Sequence, residues 1–517
     1  MASVAMPQDL LDFTTTDALE EKKKLQKHFA RFDILFFLIC TLVGVDTIGA
    51  AASQGAQAFS WLIFLAAVFF VPYALLTAEL GSAFPEEGGP YVWTRLAFGR
   101  GVAAVNALIY WISNPIWVGG LLSITALTAF EEFYNGGRVL PGPKLLGSAT
   151  VFEVLFVLGF FTLSVVIYAF KHGVHGVAAG GFKPSYFAFI GLVPILFFNY
   201  VGFELPSAAG EEMKDPQKDV PFTVFRSAVG TILLYGGPIL AILLVLPAKA
   251  VMGLSGFLDA IKIVFTIYGG HVSASGTFFL TGFGSFLGHL MAIAFILALI
   301  SSGTTWVMGA DRAQAMAALD GVVPRILGIF SSRFGTPIAV NLLSGVISSV
   351  VMVLAFTLTK GNAQKYFQVV LGLAISTTTI SYIAIFPALI KLRYSHPHVD
   401  RPYRVPGGNV GAWFVGLLCT FWALLATAAL LYPGVGINWF GHTGDPNASL
   451  PANFTRYQFE VSQVIPLIVF FLAGVLFYMA GSATRRHRVQ VPIAVEMGVA
   501  PPDRPPSAGP PPTSPAG

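Results

Sequence analysis

Charge is scarce in this chain, and so is cysteine. Asp, Glu, Lys and Arg make up 11% of the 517 residues, against 55% apolar residues and a mean hydropathy of +0.72. A water-soluble core of this length needs no such apolar excess, so a soluble catalytic or regulatory domain is excluded and a polytopic membrane protein is expected. The two cysteines, Cys40 and Cys419, fall in apolar runs far apart in sequence. That arithmetic rules out a disulfide framework or a CxxC metal site and leaves them as packing residues. No small-residue cleavage site follows the charged lead LEEKKKLQKHFARFD, so no removable signal peptide is expected. His172 and His175 form HxxH in a Gly-rich stretch without a carboxylate or cysteine nearby, and no metal or cofactor is expected. No nucleophile–base pair recurs at a loop face, which argues against an enzyme.

What the chain has in abundance is apolar runs of about 20 residues, the length that crosses a bilayer. They lie near 33–54, 58–81, 102–130, 148–170, 186–208, 225–247, 286–310, 338–358, 366–391, 411–432 and 461–481. The chain accordingly divides into an N-terminal segment 1–32, a transmembrane domain 33–482 and a tail 483–517, Pro-rich and expected to be disordered. Basic residues gather between alternate runs. The clusters are Lys22, Lys23, Lys24 and Arg31; Arg95 and Arg100; Lys214, Lys218 and Arg226; Arg312, Arg325 and Arg333; Lys391, Arg393, Arg401 and Arg404; and Arg485, Arg486 and Arg488. Cytoplasmic loops carry such an excess. Both termini are therefore expected in the cytoplasm of a cell-membrane protein, and nucleic acid is not an expected partner. Two cytoplasmic ends require an even number of crossings, yet eleven runs are recognisable. The gap falls between 131 and 185, where 148–170 alone is apolar enough; the 249–285 loop, with Asp259 and Lys262, is the other place to look.

One run carries an ionisable residue at membrane depth. Residues 186–208 read YFAFIGLVPILFFNYVGFELPSA, with Asn199, Tyr200, Gly202, Glu204 and Pro206 bunched in the second half. A charge there costs at least about 2.5 kcal/mol, while Gly and Pro let a helix unwind and line a cavity. Glu204 is either a hydrogen-bonded pin for a helix break or a proton-coupling or amine-binding group. Burial favours the protonated carboxyl, so such a group can exchange a proton as a cavity opens to each side. Phe198, Tyr200 and Phe203 are candidate gates or packing residues, Tyr200 foremost because its hydroxyl needs a partner. Glu86, Glu87, Glu211 and Glu212 read as solvated loop or helix-end charges.

Four motifs in order carry a family resemblance. They are PEEGGPYVW at 85–93, following Ala78-Glu79-Leu80; NYVGFELPSAAGEEMKDPQKDVP at 199–221; GADRAQAMAALDGVVP at 309–324; and RPYRVPGG at 401–408. Over most of residues 31–482 the chain resembles permeases of the amino acid–polyamine–organocation (APC) superfamily, in the style of glutamate/GABA-antiporter-like or related amino acid permeases. The resemblance implies an all-α, LeuT-like fold of two inverted five-helix repeats plus two helices, with the first and sixth helices unwound near the midplane. It also implies that the 148–170 run stands for the fifth helix and that the fourth is missing or shortened.

The first break is expected in VGVDTIGAAASQG at 43–55, where Gly44 and Gly49 each lower helix stability by about 1 kcal/mol. Many amino-acid members carry Gly-Ser-Gly here, whose free backbone N–H groups hold a substrate carboxylate. This chain has Asp46-Thr47-Ile48-Gly49, and an acidic side chain favours an amine instead. The expected substrate site comprises Gly44, Asp46, Thr47, Ile48 and Gly49 with Phe198, Tyr200, Gly202 and Phe203, and the expected proton-coupling groups are Glu204 and Asp46.

The function expected is secondary-active transport of amino acids or related amines by alternating access, coupled to protons or exchange. The alternatives are a polyamine or cationic amino-acid carrier, and a non-transporting sensor or degraded paralogue lacking a scaffold helix. Hydroxyls at Ser301, Ser302, Thr304 and Thr305 sit where sodium-coupled relatives place ligands, but hydroxyls in membrane helices more often bond their own backbone. The same holds for Thr377, Thr378, Thr379 and Ser381. Asn447-Ala-Ser and Asn453-Phe-Thr are glycosylation triplets in a loop expected to face outward. Substrate identity, direction of flux and oligomeric state stay open at this level.

Overall fold

In lipid an apolar run has no water to bond its backbone, so it closes its hydrogen bonds within a helix. The expected runs follow that rule in the computed structural model, which describes residues 13–15, 20–25, 27, 29–52, 55–122, 125–126, 129, 154, 156–174, 179–246, 256–272, 278–358, 363–439, 444–451, 454–481 and 490–492. In chain order the helices are α1 (Arg31–Leu42), α2 (Val45–Ala52), α3 (Ala56–Ala83), α4 (Gly89–Leu122), α5 (Phe156–His172), α6 (Tyr186–Phe198), α7 (Leu205–Glu212), α8 (Pro216–Val245), α9 (Gly256–Phe265), α10 (Gly282–Leu319), α11 (Ile338–Leu358), α12 (Ala363–Ile385), α13 (Ala388–Ser395), α14 (Gly408–Leu431) and α15 (Arg456–Ala480). Each expected run corresponds to one of these helices or to a broken pair of them. Both cysteines are buried, and neither forms a disulfide among the described residues.

Besides the interruption at 386–387 between α12 and α13, two runs are broken, α1/α2 at Val43–Gly44 and α6/α7 at 199–204. Each opens one half of the protein, the arrangement that two inverted five-helix repeats require, and α14 and α15 are the two additional helices. The first break is shorter than the sequence suggests. Gly49 lies inside α2, where a Cβ would sit 2.6 Å from the Phe257 backbone nitrogen. It is glycine for close packing on α9, not for unwinding.

Ten residues of α9 are described, and a hairpin of Gly270–Val272 and Phe278–Leu280 follows it. Of the stretch 131–185, where the gap in the crossings is expected, residues 131–153, 155 and 175–178 are outside the described residues. Among the described residues between 151 and 185, α5 is the apolar helix and Ala179–Phe182 a short 3₁₀ turn.

The basic clusters within the described residues gather at one end of the bundle, here termed the basic end. There the N-terminal segment lies across the helix ends: Phe29 N–H donates to Glu212 O at 3.0 Å, Lys214 N–H to Phe29 O at 3.0 Å, and Lys24 Nζ to Phe330 O at 3.2 Å. Phe13–Thr15 pairs antiparallel with Gln490–Pro492, inside the segment expected to be disordered. The rest of the tail, with Arg485, Arg486 and Arg488, lies outside the described residues.

Candidate functional site: two helix breaks and a buried glutamate

The second break forms because Gly202 adopts φ 126°, a conformation side chains rarely tolerate, and Pro206 restarts the chain in the first turn of α7. The turn carries Glu204 inward, where it is fully buried. Three phenols from three helices meet it. Tyr110 of α4 donates to Oε1 at 2.8 Å, Tyr382 of α12 donates to Oε1 at 2.6 Å, and Tyr73 of α3 donates to Oε2. The Tyr73 hydroxyl also accepts the Gly202 N–H at 3.2 Å, which ties the cage to the break itself.

Sequence reasoning singled out Glu204 and named none of the three tyrosines bonded to it. The available signal was weak: a phenol inside an apolar run needs a hydrogen-bond partner. Tyr73, Tyr110 and Tyr382 stand far apart in the chain, and nothing in their spacing pairs them with Glu204.

Side chains cap the backbone groups freed by the first break. Gly44 N–H donates to Tyr235 Oη at 2.8 Å, the Tyr235 hydroxyl lies 3.3 Å from Gly44 O, Thr47 Oγ1 donates to Gly44 O at 2.9 Å, and Trp306 Nε1 donates to Thr41 O at 2.9 Å. Trp306 therefore spans the two breaks, since a Cβ on Gly202 would meet both its ring and Thr41. Asp46 is 7% exposed. Its Oδ2 accepts from Trp117 Nε1 at 3.3 Å, while Oδ1 is buried and makes no hydrogen bond among the described residues. Trp117 starts a π-helical turn, Trp117–Leu122, a distortion frequent at functional sites, and its ring meets Trp306 edge-on at 6.0 Å. Asp46 thus has one carboxylate oxygen on the Trp117 indole and one without a hydrogen bond among the described residues.

The remaining predicted residues divide. Gly44, Asp46 and Thr47 come together around the first break, whereas Ile48 and Gly49 are packing residues of α2. Tyr200 and Phe203 stack on Phe70 at 4.5 and 4.6 Å, and the Tyr200 hydroxyl donates to Leu62 O at 3.2 Å. Phe198 is half-buried. Both amide atoms of Asn199 are buried without a partner among the described residues. Thr304 and Thr305 bond Ile300 O and Ser302 O of their own helix, and Thr377, Thr378 and Ser381 do the same on α12. Thr379 adds an interhelical bond from Thr427 at 2.8 Å. A cavity of about 590 Å³ lies apart from both breaks, between α4, α10 and α11, and is lined by Val118, Leu299, Gly303, Met308 and Asn341 among others.

The motifs of the basic end turn out to be pairing partners. Glu79 holds Arg393 at 2.5 Å and Arg401 at 3.4 Å and accepts the Val405 N–H at 2.7 Å, which fastens RPYRVPGG to the end of α3. In GADRAQ, Asp311 accepts from Trp111 at 2.8 Å and Ser344 at 2.6 Å, while Arg312 reaches Glu212 at 2.6 Å and Glu87 at 3.1 Å. Glu87 is 0% and Glu212 7% exposed, so the reading of these acids as solvated is corrected. Glu211 is likewise bound to Lys22 at 2.7 Å, and Glu86 faces Arg95 at 3.7 Å. Their cationic partners lie far away in sequence, beyond the reach of local pattern.

Paired broken helices meeting around buried carboxylates, in a bundle of apolar helices, define a membrane transporter rather than an enzyme. The sequence profile described as amino acid permease matches residues 29–140 and 142–448, and the chain belongs to that family. Among its relatives, an uncharacterized transporter of Legionella pneumophila is 28% identical over 76% of this chain and 88% of its own length. A probable agmatine/putrescine antiporter, AguD, of Lactococcus lactis is 24% identical over 77% and 85%, and the polyamine transporter PUT1 of Oryza sativa is 26% identical over 77% and 73%. Among solved structures, a manganese transporter of Eremococcus coleocola aligns with a TM-score of 0.48 at 14% identity, covering 88% of this chain and 94% of that one.

Proposed function

We propose that this permease carries a cationic amine, with Asp46 receiving the ammonium group between Trp117 and Trp306 and Glu204 coupling movement to a proton. The observation that carries this reading is the buried Oδ1 of Asp46, without a hydrogen bond among the described residues, on a carboxylate held by the Trp117 indole, which in turn contacts Trp306. A carboxylate oxygen and aromatic faces together attract an ammonium group. The Gly44 N–H, which would otherwise suit a substrate carboxylate, is already donated to Tyr235 at 2.8 Å. Two relatives described as amine or polyamine carriers support the same direction.

In this reading the closed state keeps Glu204 under three phenols, and opening exchanges those donors for water, so the carboxyl gains or loses a proton as access alternates. The basic end faces the cytoplasm of the cell membrane, in line with the excess of Lys and Arg there. The test is uptake into proteoliposomes of labelled putrescine, agmatine, arginine, GABA and glutamate, with and without a proton gradient. Putrescine or agmatine uptake driven by the gradient, lost in Asp46→Asn and uncoupled from pH in Glu204→Gln, is the expected result. Uptake of glutamate in preference to the amines overturns the substrate assignment, and silence across the panel in folded protein favours a non-transporting chain.

A further inference from the structure

The buried charge at the basic end does not balance. Glu87 lies in the loop between α3 and α4, and four charged groups from three other segments face it: Arg312 of α10, Glu212 and Glu211 of α7, and Lys22 of the N-terminal segment. Two cations thus meet three carboxyls. Glu212 takes the better share of Arg312, with the guanidinium Nε at 2.9 Å and Nη2 at 2.6 Å, and Lys22 is bound to Glu211 at 2.7 Å. Glu87 has only the lateral approach of Arg312 Nε at 3.1 Å, and neither of its carboxylate oxygens makes a hydrogen bond among the described residues. The neighbouring charges do not relieve it, since Glu86 faces Arg95 and Arg95 is bound to Asp320. A fully buried carboxylate that shares its nearest cation with Glu212 is only partly compensated, and one proton neutralises it.

The place of the cluster gives that proton a role. The loop is docked on α7: Gly88 N–H donates to Ala208 O at 2.8 Å and Glu87 N–H to Glu211 Oε1 at 3.3 Å. Because α7 is the second half of a broken helix, any opening of this end breaks these contacts and admits water to Glu87. We propose that Glu87 is a second proton-binding site, separate from Glu204, occupied while the basic end is closed and emptied when α7 leaves the loop. The proton passes from the carboxyl to water at the rim, where Glu211 is already 27% exposed, and the cluster gains one negative charge. Burial is the main cause that raises the Glu87 carboxyl well above the ordinary glutamate range; Arg312 opposes it, Glu212 and Glu211 reinforce it, and Lys22 opposes it more weakly.

Thermal unfolding of the purified full chain in detergent, measured against pH, tests the site without any transport substrate. A carboxyl raised in the folded state stabilises the fold below its unfolded value, and that stability is lost as pH rises through the folded value. The wild type is expected to lose Tm as pH rises above the ordinary glutamate range, and Glu87→Gln, which mimics the protonated acid, is expected to show a shallower slope. Glu212→Gln leaves Arg312 wholly to Glu87 and is expected to flatten the slope as well. A Glu87→Gln protein with the wild-type slope, or one that no longer folds at neutral pH, overturns the proposal, because either means that Glu87 is not the protonated group. Infrared difference spectra of the wild type against Glu87→Gln provide a second readout. Loss of one protonated-carboxyl band supports the site, and an unchanged spectrum overturns it. Each readout is the difference between wild type and Glu87→Gln, which depends neither on what the permease carries nor on Glu204.

Discussion

A single carboxyl held by three phenols makes a sharp prediction at Tyr382. The Tyr382→Phe change removes one of the two donors to Glu204 Oε1 and keeps the ring stack on Phe386 at 4.8 Å. A hydrogen bond to a charged group contributes about 1.5–3 kcal/mol. If Glu204 is ionised at any stage of the cycle, transport is expected to slow by about tenfold or more, with its pH optimum displaced, and initial rates of uptake across pH measure both. Gly202 offers a different test, because its φ of 126° leaves an added side chain strained and crowded against Thr41 and Trp306. Gly202→Ala is expected to cost about 1–3 kcal/mol of stability, read as a fall in Tm in detergent. Glycine and glutamate at these positions were legible from sequence, because each violates the expectation for a lipid-embedded helix. The tyrosines were not, because an isolated tyrosine in an apolar run violates nothing.

A broken helix has to find partners for the backbone groups it frees. In α1/α2 the partners come from α8 and α10, through Tyr235 and Trp306. Tyr235→Phe removes the phenol from the Gly44 N–H and is expected to weaken amine uptake while making carboxylate-bearing amino acids better inhibitors, as competition assays in proteoliposomes will register. The break also sits differently from its sequence signature. Two glycines framed the expected unwinding, yet only Gly44 lies at the break, and Gly49 serves the contact between α2 and α9. Gly49→Val is accordingly expected to disturb that contact and reduce transport without removing any polar group of the site, a loss of uptake with Tm lowered in parallel. Helix propensity treats the two glycines alike, and only the neighbour across the interface separates their roles.

At the scale of the whole molecule, the N-terminal segment spans the basic end, from Phe29 beside Met213 on one side to Glu21 accepting the Phe330 N–H at 2.9 Å on the other. It therefore joins the exit of a broken helix to the loop between α10 and α11. Removing residues 1–30 is expected to lower Tm and ease opening at that end, raising the reactivity of a cysteine placed at Ser207 toward a water-soluble thiol reagent. The positions and number of the apolar runs, the acidic residue in the 186–208 run and the family likeness were all determined by sequence alone, because a bilayer imposes run length and polarity on the chain itself. Which phenols meet Glu204, which glycine unwinds, and which acids at the basic end are buried against distant arginines were decided only by the tertiary structure. Those are pairings between residues far apart in the chain, and no local period or spacing encodes them.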